Sequence, residues 1–209
     1  KSGEPRGVYD RTTRGLRNYL ATPRLRGLLA LSLAVSAAGS MVIVNTVVLV
    51  QATYGMTQQA TALALALFGA GSMTAAFALP RLLDRLDDRR LMLTAGASLP
   101  GLLMLGVLVP GFLVLLPLWL ALGFAYSLTQ TPSGRLLRRS AHAEDRPALF
   151  AAQFALSHAC WLVTYPAAGW LGATLGLPAT FAVMAGIAAL ALTIAEPITT
   201  ASATAPTLR

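Results

Sequence analysis

The densest chemistry in this chain lies at 80–93, PRLLDRLDDRRLML, where Asp84, Arg85, Arg89 and Arg90 can form ion pairs and charge-assisted hydrogen bonds. A second grouping is nucleophilic in type: Ser133, in the run Thr131-Pro132-Ser133-Gly134, and His158 as a potential base. The remaining candidates are uncharged and helically spaced. Ser32, Ser36 and Ser40 recur every four residues, with Asn45 and Thr46 beyond them. Trp119, Gly123, Tyr126 and Gln130 follow at steps of four, three and four, and Gln153, Ser157, Trp161 and Thr164 form another such row. Each row falls along one helix face. Such rows either let helices pack closely or offer hydrogen bonds and ring faces to a small molecule in a wet cavity.

What positions these side chains is a set of long apolar blocks. Residues 27–80, 91–134 and 147–195 contain no Asp, Glu, Lys or Arg, giving blocks of 54, 44 and 49 residues. A membrane-crossing helix takes roughly 20 apolar residues, so each block fits two spans and a tight turn. The chain is 56% hydrophobic and 11% charged, against about 25% charged in soluble domains. Lipid-exposed loops and open sheets cannot satisfy their backbone in hydrocarbon, and the blocks lack the alternation of barrel strands. The expected fold is an all-α membrane protein of six transmembrane helices.

All 16 Lys and Arg residues lie outside the three blocks, before 27, at 81–90, at 135–146 and at Arg209. If every block is a hairpin, they share one side, which the positive-inside rule makes cytoplasmic. The topology is then N-in and C-in, and the net charge of +8 is explained without a nucleic-acid partner. The single cysteine, Cys160, excludes an intrachain disulfide and a thiolate metal cluster.

Three regions follow in order. Residues 1–26 are a basic cytoplasmic segment in which Val8, Leu16, Tyr19 and Leu20 can share a face beside Arg14 and Arg17. That suits either an interfacial amphipathic helix or a solvated linker. Residues 27–195 form the bundle, with spans at 27–50, 57–79, 91–109, 112–131, 148–171 and 177–195. Residues 196–209 are a small, polar tail, expected to be disordered. Gly69, Gly71 and Ala75 mark a close helix contact in the second span, and Pro100 should bend the third. Because the first three spans start inside and the last three outside, the two triplets have inverted topology. His158 suits either packing with a backbone hydrogen bond or proton transfer.

The 80–93 segment resembles the signature of the major facilitator superfamily, G-x-L-A-D-R-x-G-R-R-x-x-L, through Leu82, Asp84, Arg85, Arg89, Arg90 and Leu93. It departs at Pro80, at Leu83 and at Asp87-Asp88, which replace the two glycines and the alanine and add one residue. This degeneracy resembles the second copy of the signature, and hence the C-terminal half, helices seven to twelve. The stretch Tyr165 to Trp170 is similar, more weakly, to the G-P-x-x-G-G run of antiporters in that family. The resemblance implies alternating access, proton-coupled efflux of small compounds, and a cytoplasmic latch at Asp84, Arg85, Arg89 and Arg90; a solvated anchor is the other reading of the latch loop. Asn45, Trp119, Tyr126, Gln130, Gln153, Ser157 and Trp161 are then candidates for the substrate cavity.

No catalytic residue, metal or cofactor is expected. The expected partners are the lipid bilayer, a small-molecule substrate and an N-terminal six-helix half or a second copy of this chain. A chain that begins at Lys1 rather than Met is expected to be a piece of a longer protein. Arginine and alanine richness points to a bacterial cytoplasmic membrane. The alternatives are a non-transporting six-helix subunit or fragment and, from another class, an intramembrane serine protease. For the protease, Ser133 lacks the first glycine of a G-x-S-G motif and sits at the charged border, a poor place for a nucleophile activated by His158.

Overall fold

The computed structural model describes residues 8–140 and 143–201. The start of the basic segment, the Val8 and Arg14 side chains of its expected face, and positions 202–209 of the tail lie outside the described residues. Among the described residues eight α-helices follow one another: α1 (Val8–Ala21), α2 (Pro23–Val47), α3 (Gln58–Leu83), α4 (Asp88–Gly106), α5 (Phe112–Gln130), α6 (Ser133–Arg139), α7 (Arg146–Thr174) and α8 (Leu177–Ala201). A π-helical turn, Val48–Thr53, extends α2. No strand occurs among the described residues.

Local chemistry sets the helix ends. Pro23 occupies the first turn of α2, where a missing N–H costs nothing. Thr57 and Asp87 cap α3 and α4, accepting from Ala60 N at 3.4 Å and Arg90 N at 2.7 Å. Gly176, with φ of 80°, lets α7 turn directly into α8. Two features depart from expectation. The loop expected after Ser133 instead starts with the two turns of α6, and α8 runs on to Ala201, beyond the boundary drawn at 195.

Among the described residues, five helical stretches are long and apolar enough to cross a membrane: Pro23–Thr53, Gln58–Leu83, Phe112–Arg139, Arg146–Thr174 and Leu177–Ala195. The third of the six expected spans, α4, falls short by composition, because Asp88, Arg89 and Arg90 take up the first turn of its 19 residues. It nonetheless packs within the bundle, on α5 and α8.

The packing has an internal symmetry. α2 lies against α7 and α8; α5 lies against α3 and α4; α4 meets α8. Exchanging α2 with α5, α3 with α7 and α4 with α8 maps these contacts onto one another, as two inverted three-helix repeats require, although the α2–α4 and α2–α3 contacts lack counterparts of like extent. The α3–α5 pair is held at backbone contact: a Cβ on Gly71 would lie 2.0 Å from Leu120 O, and one on Gly123 1.9 Å from Phe68 O. By contrast, Gly69 meets nothing within 4 Å, so of the small residues expected to mark this crossing only Gly71 and Ala75, which is fully buried, do so.

The interior is filled by Met41, Leu99, Leu103, Leu115, Trp119, Leu122, Phe181 and Met184. Outside, Phe77, Leu108, Leu113 and Leu162 are 74–80% exposed, the arrangement of a protein whose solvent is hydrocarbon. In that medium apolar burial drives little, and association rests on close packing and on satisfied polar groups.

Helix α1, in the described part of the basic segment, packs one face on the bundle. Tyr19 is fully buried with Leu25, Leu28 and Leu149, its hydroxyl donates to Gln153 Oε1 on α7, and Gly15 approaches the Ala148 backbone closely. Leu16 and Leu20 are exposed, so they do not share the buried face with Tyr19. Burial raises the Tyr19 pKa above its ordinary value of 10, with Cys160 contributing second. The folded state therefore holds this proton longer than the unfolded chain. The contribution is intact below about pH 10 and is lost as pH rises above it. Tyr19→Phe leaves the buried Gln153 acceptor unpaired and should cost about 1–2 kcal/mol; faster amide exchange confined to α1 and the start of α7 checks it, and exchange unchanged there would refute it.

Candidate functional site

The candidate residues divide into those that fasten helices together and those that face outward. Asn45 Nδ2 donates to Ala168 O on α7 at 3.2 Å. Trp119 Nε1 donates to Thr46 Oγ1 at 2.9 Å, joining α5 to α2, and its ring meets Phe181 edge-on at 6.1 Å. Gln153 accepts from Tyr19 and donates to Ser32 Oγ at 3.2 Å, tying α1, α7 and α2. Ser157 bonds back to Phe154 O at 3.0 Å. All four are buried, so in this structure their polar groups are satisfied inside the bundle. The serine row resolves the same way: Ser32, Ser36 and Ser40 donate to Leu28, Leu33 and Ala37 carbonyls on their own helix.

Tyr126 and Trp161 behave differently. Half-buried, they bring α5 and α7 together with ring centroids 6.3 Å apart. Phe68 of α3 stands edge-on to Tyr126 at 5.5 Å, and Tyr165 lies 4.9 Å from Trp161. Four half-buried rings thus run across α3, α5 and α7. Gly39 of α2 makes this possible: a Cβ there would meet the Trp161 ring at 2.3 Å and Tyr126 at 3.1 Å. The array offers apolar ring faces, a phenol at Tyr126 and one at Tyr165, and no charge, which suits planar, largely apolar molecules. Gln130 sits one turn beyond Tyr126, half-buried at the end of α5. Phe68, Tyr165 and Gly39 did not figure among the sequence candidates. Tyr165 had a signal, since it follows Trp161 by one helical turn; Phe68 and Gly39 acquire their roles only through the crossing of α3, α5 and α2.

At the charged end the participants also change. Asp84, Arg85 and Arg90 are exposed, and Arg89 is half-buried. The carboxylate that joins the two charged segments is Asp88, 4% exposed, with Arg135 at 2.8 Å and Arg139 at 3.0 Å. Arg139 gives an aligned hydrogen bond; the Arg135 contact to Oδ1 is an ion pair without that alignment. Asp84, matched to the signature by order, lies at the C-terminal end of α3, whereas Asp88 opens α4 and faces α6. Four positions inside a degenerate loop separate the two carboxylates.

His158 is exposed on α7, its ring 4.0 Å from that of Phe154 and its Nδ1 2.7 Å from Phe154 O. It lies about 18 Å along α7 from the charged end, while Ser133 opens α6 at that end. Among the described residues the two make no contact, and no group of His, Cys, Asp and Glu side chains is arranged to hold a metal.

A search of curated proteins returned no match. The family model described as Major Facilitator Superfamily matches residues 29–207. That span begins within α2 and takes in the later long helices, the charged loop between α3 and α4 and the aromatic array, and the chain belongs to the Major Facilitator Superfamily, a family of membrane transporters of small molecules.

Proposed function

We propose that this chain is one six-helix half of an alternating-access transporter, most similar to a C-terminal half, and that it exports small apolar compounds in exchange for protons. The observation that carries the reading is the ring array Phe68, Tyr126, Trp161 and Tyr165, half-exposed on a bundle of inverted triplets. A second bundle, from an N-terminal half or another copy, completes the cavity, and the two rock about a midplane site. The end carrying Asp88, Arg135 and Arg139 faces the cytoplasm of a bacterium and closes while the cavity faces out. Since 27–80, 91–134 and 147–195 contain no Asp or Glu, any carboxylate that carries the proton belongs to the other bundle.

The test is dye efflux from proteoliposomes under a pH gradient, with the chain joined to its upstream half or reconstituted as a homodimer. Trp161→Ala should weaken the apparent affinity for a planar apolar dye about tenfold, one ring contact plus its buried area. Gly39→Ala, which drives the indole off α2, should act in the same direction. An unchanged affinity in both variants would move the substrate face elsewhere, and absence of gradient-driven flux in every arrangement would favour a non-transporting subunit.

A further inference from the structure

A cavity of about 210 Å³ opens at the charged end, between the first turns of α2 and α4 and helix α6. Its charged lining sits at helix ends: Arg24 on α2, Asp87, Asp88 and Arg89 on α4, Arg139 on α6. Its apolar lining, Leu28 and Leu31 on α2 and Met92 and Leu93 on α4, follows one to two turns deeper at helical spacing, on the same faces. The cavity is therefore graded from charge at the bundle's end to hydrocarbon within.

The carboxylates are engaged. Asp87 accepts from Arg90 N at 2.7 Å, and Asp88 is shared by Arg135 and Arg139. Arg89 Nε, however, is buried with no hydrogen-bond partner among the described residues, an arrangement native proteins avoid unless a ligand or water supplies the acceptor. We propose that this cavity binds the anionic headgroup of a membrane phospholipid, its phosphate accepting from Arg89 and its first methylenes lying along Leu28, Leu31 and Met92. A free phosphate matches the arginines but leaves the apolar half unfilled. At about 30 Å³ per water the space equals roughly seven waters, enough for a phosphodiester and the start of a chain. Basic pockets between spanning helices at a headgroup level are suited to such lipids. The site does not depend on what the protein transports, so binding and transport can fail separately.

The experiment is calorimetric titration of the purified full chain in neutral detergent with dioctanoyl phosphatidylglycerol, dioctanoyl phosphatidylcholine and inorganic phosphate. Wild type should bind the glycerol lipid about tenfold more tightly than the choline lipid, the difference expected of a charge-assisted contact in a partly buried site. Arg89→Gln should erase that preference, and so should Leu93→Trp, which fills the cavity while keeping every charge. Arg138→Gln removes an exposed charge at the same end and should keep it. Retention of the preference in Leu93→Trp overturns the proposal, as does equal loss in Arg138→Gln, which would mean diffuse surface charge. Competition by inorganic phosphate at equal concentration would identify a free-anion site instead and overturn it too.

Discussion

Gly123→Ala should cost the bundle about 3 kcal/mol or more, at the upper end of what overpacking does. The added carbon would stand 1.9 Å from Phe68 O, with the Phe68 carbonyl carbon at 2.8 Å and its Cα at 3.1 Å. Those are backbone atoms, so no rotamer change relieves the clash; α3 and α5 must separate. Gly71→Ala meets the mirror situation, 2.0 Å from Leu120 O, and should act alike. Separation also breaks the 3.0 Å bond from Ser72 Oγ to Gly123 O, in a medium where no water replaces it. Gly69→Ala is the control. It lies in the same helix with nothing within 4 Å, and by helix propensity alone it should gain about 0.5–1 kcal/mol. Denaturant unfolding in mixed micelles, followed by helicity, measures all three. Equal destabilisation by Gly69→Ala and Gly123→Ala would mean that the cost is general to α3 and α5 and not set at their crossing.

The contrast between Gly69 and Gly71 shows what sequence can carry here. Apolar blocks bounded by charged residues give the order and approximate extent of the long helices, because the bilayer permits little else. Rotation about each helix axis is less constrained. Gly69 and Gly71 differ by 200° around α3, and both fit a small-residue pattern; only the position of α5 decides between them. The 19-residue α4 shows a further limit: a helix can occupy a place in the bundle while its first turn carries charge that hydropathy counts against it.

The same limit divided the candidate site. Trp119, Asn45 and Gln153 look like cavity residues because polar groups within spans are rare, but each finds a partner on a neighbouring helix, Thr46, Ala168 and Ser32. A polar side chain in hydrocarbon must be satisfied whether or not it serves a substrate. Tyr126 and Trp161 share the same helical spacing and the same residue chemistry as Trp119. What separates them is Gly39, which opens the surface of α2 beneath their rings, and that is a fact about a third helix.

Asp88→Asn is expected to loosen the charged end by about 1–2 kcal/mol. Removing one member of a fully buried pair costs 3–5 kcal/mol because its partner is stranded without water. Here the stranded groups are Arg135 and Arg139, 43% and 66% exposed, so solvent recovers much of the loss. What remains is the charge-assisted bond from Arg139, with the lost attraction of Arg135. Asp84→Asn removes an equal charge from an exposed position and should cost under about 0.5 kcal/mol. A double-mutant cycle with Arg139→Gln separates the pair from its surroundings: the two losses should sum to more than the double variant shows. The effect should appear first as faster amide exchange in α6 and the first turn of α4, ahead of any change in the α3–α5 crossing. If, as proposed, this end of the bundle closes against a second bundle, Asp88→Asn should also favour the state open at that end. If Asp84→Asn proves the more damaging, the register read from the family signature is the functional one, and the Asp88 pairing belongs to a state other than the one that closes the molecule.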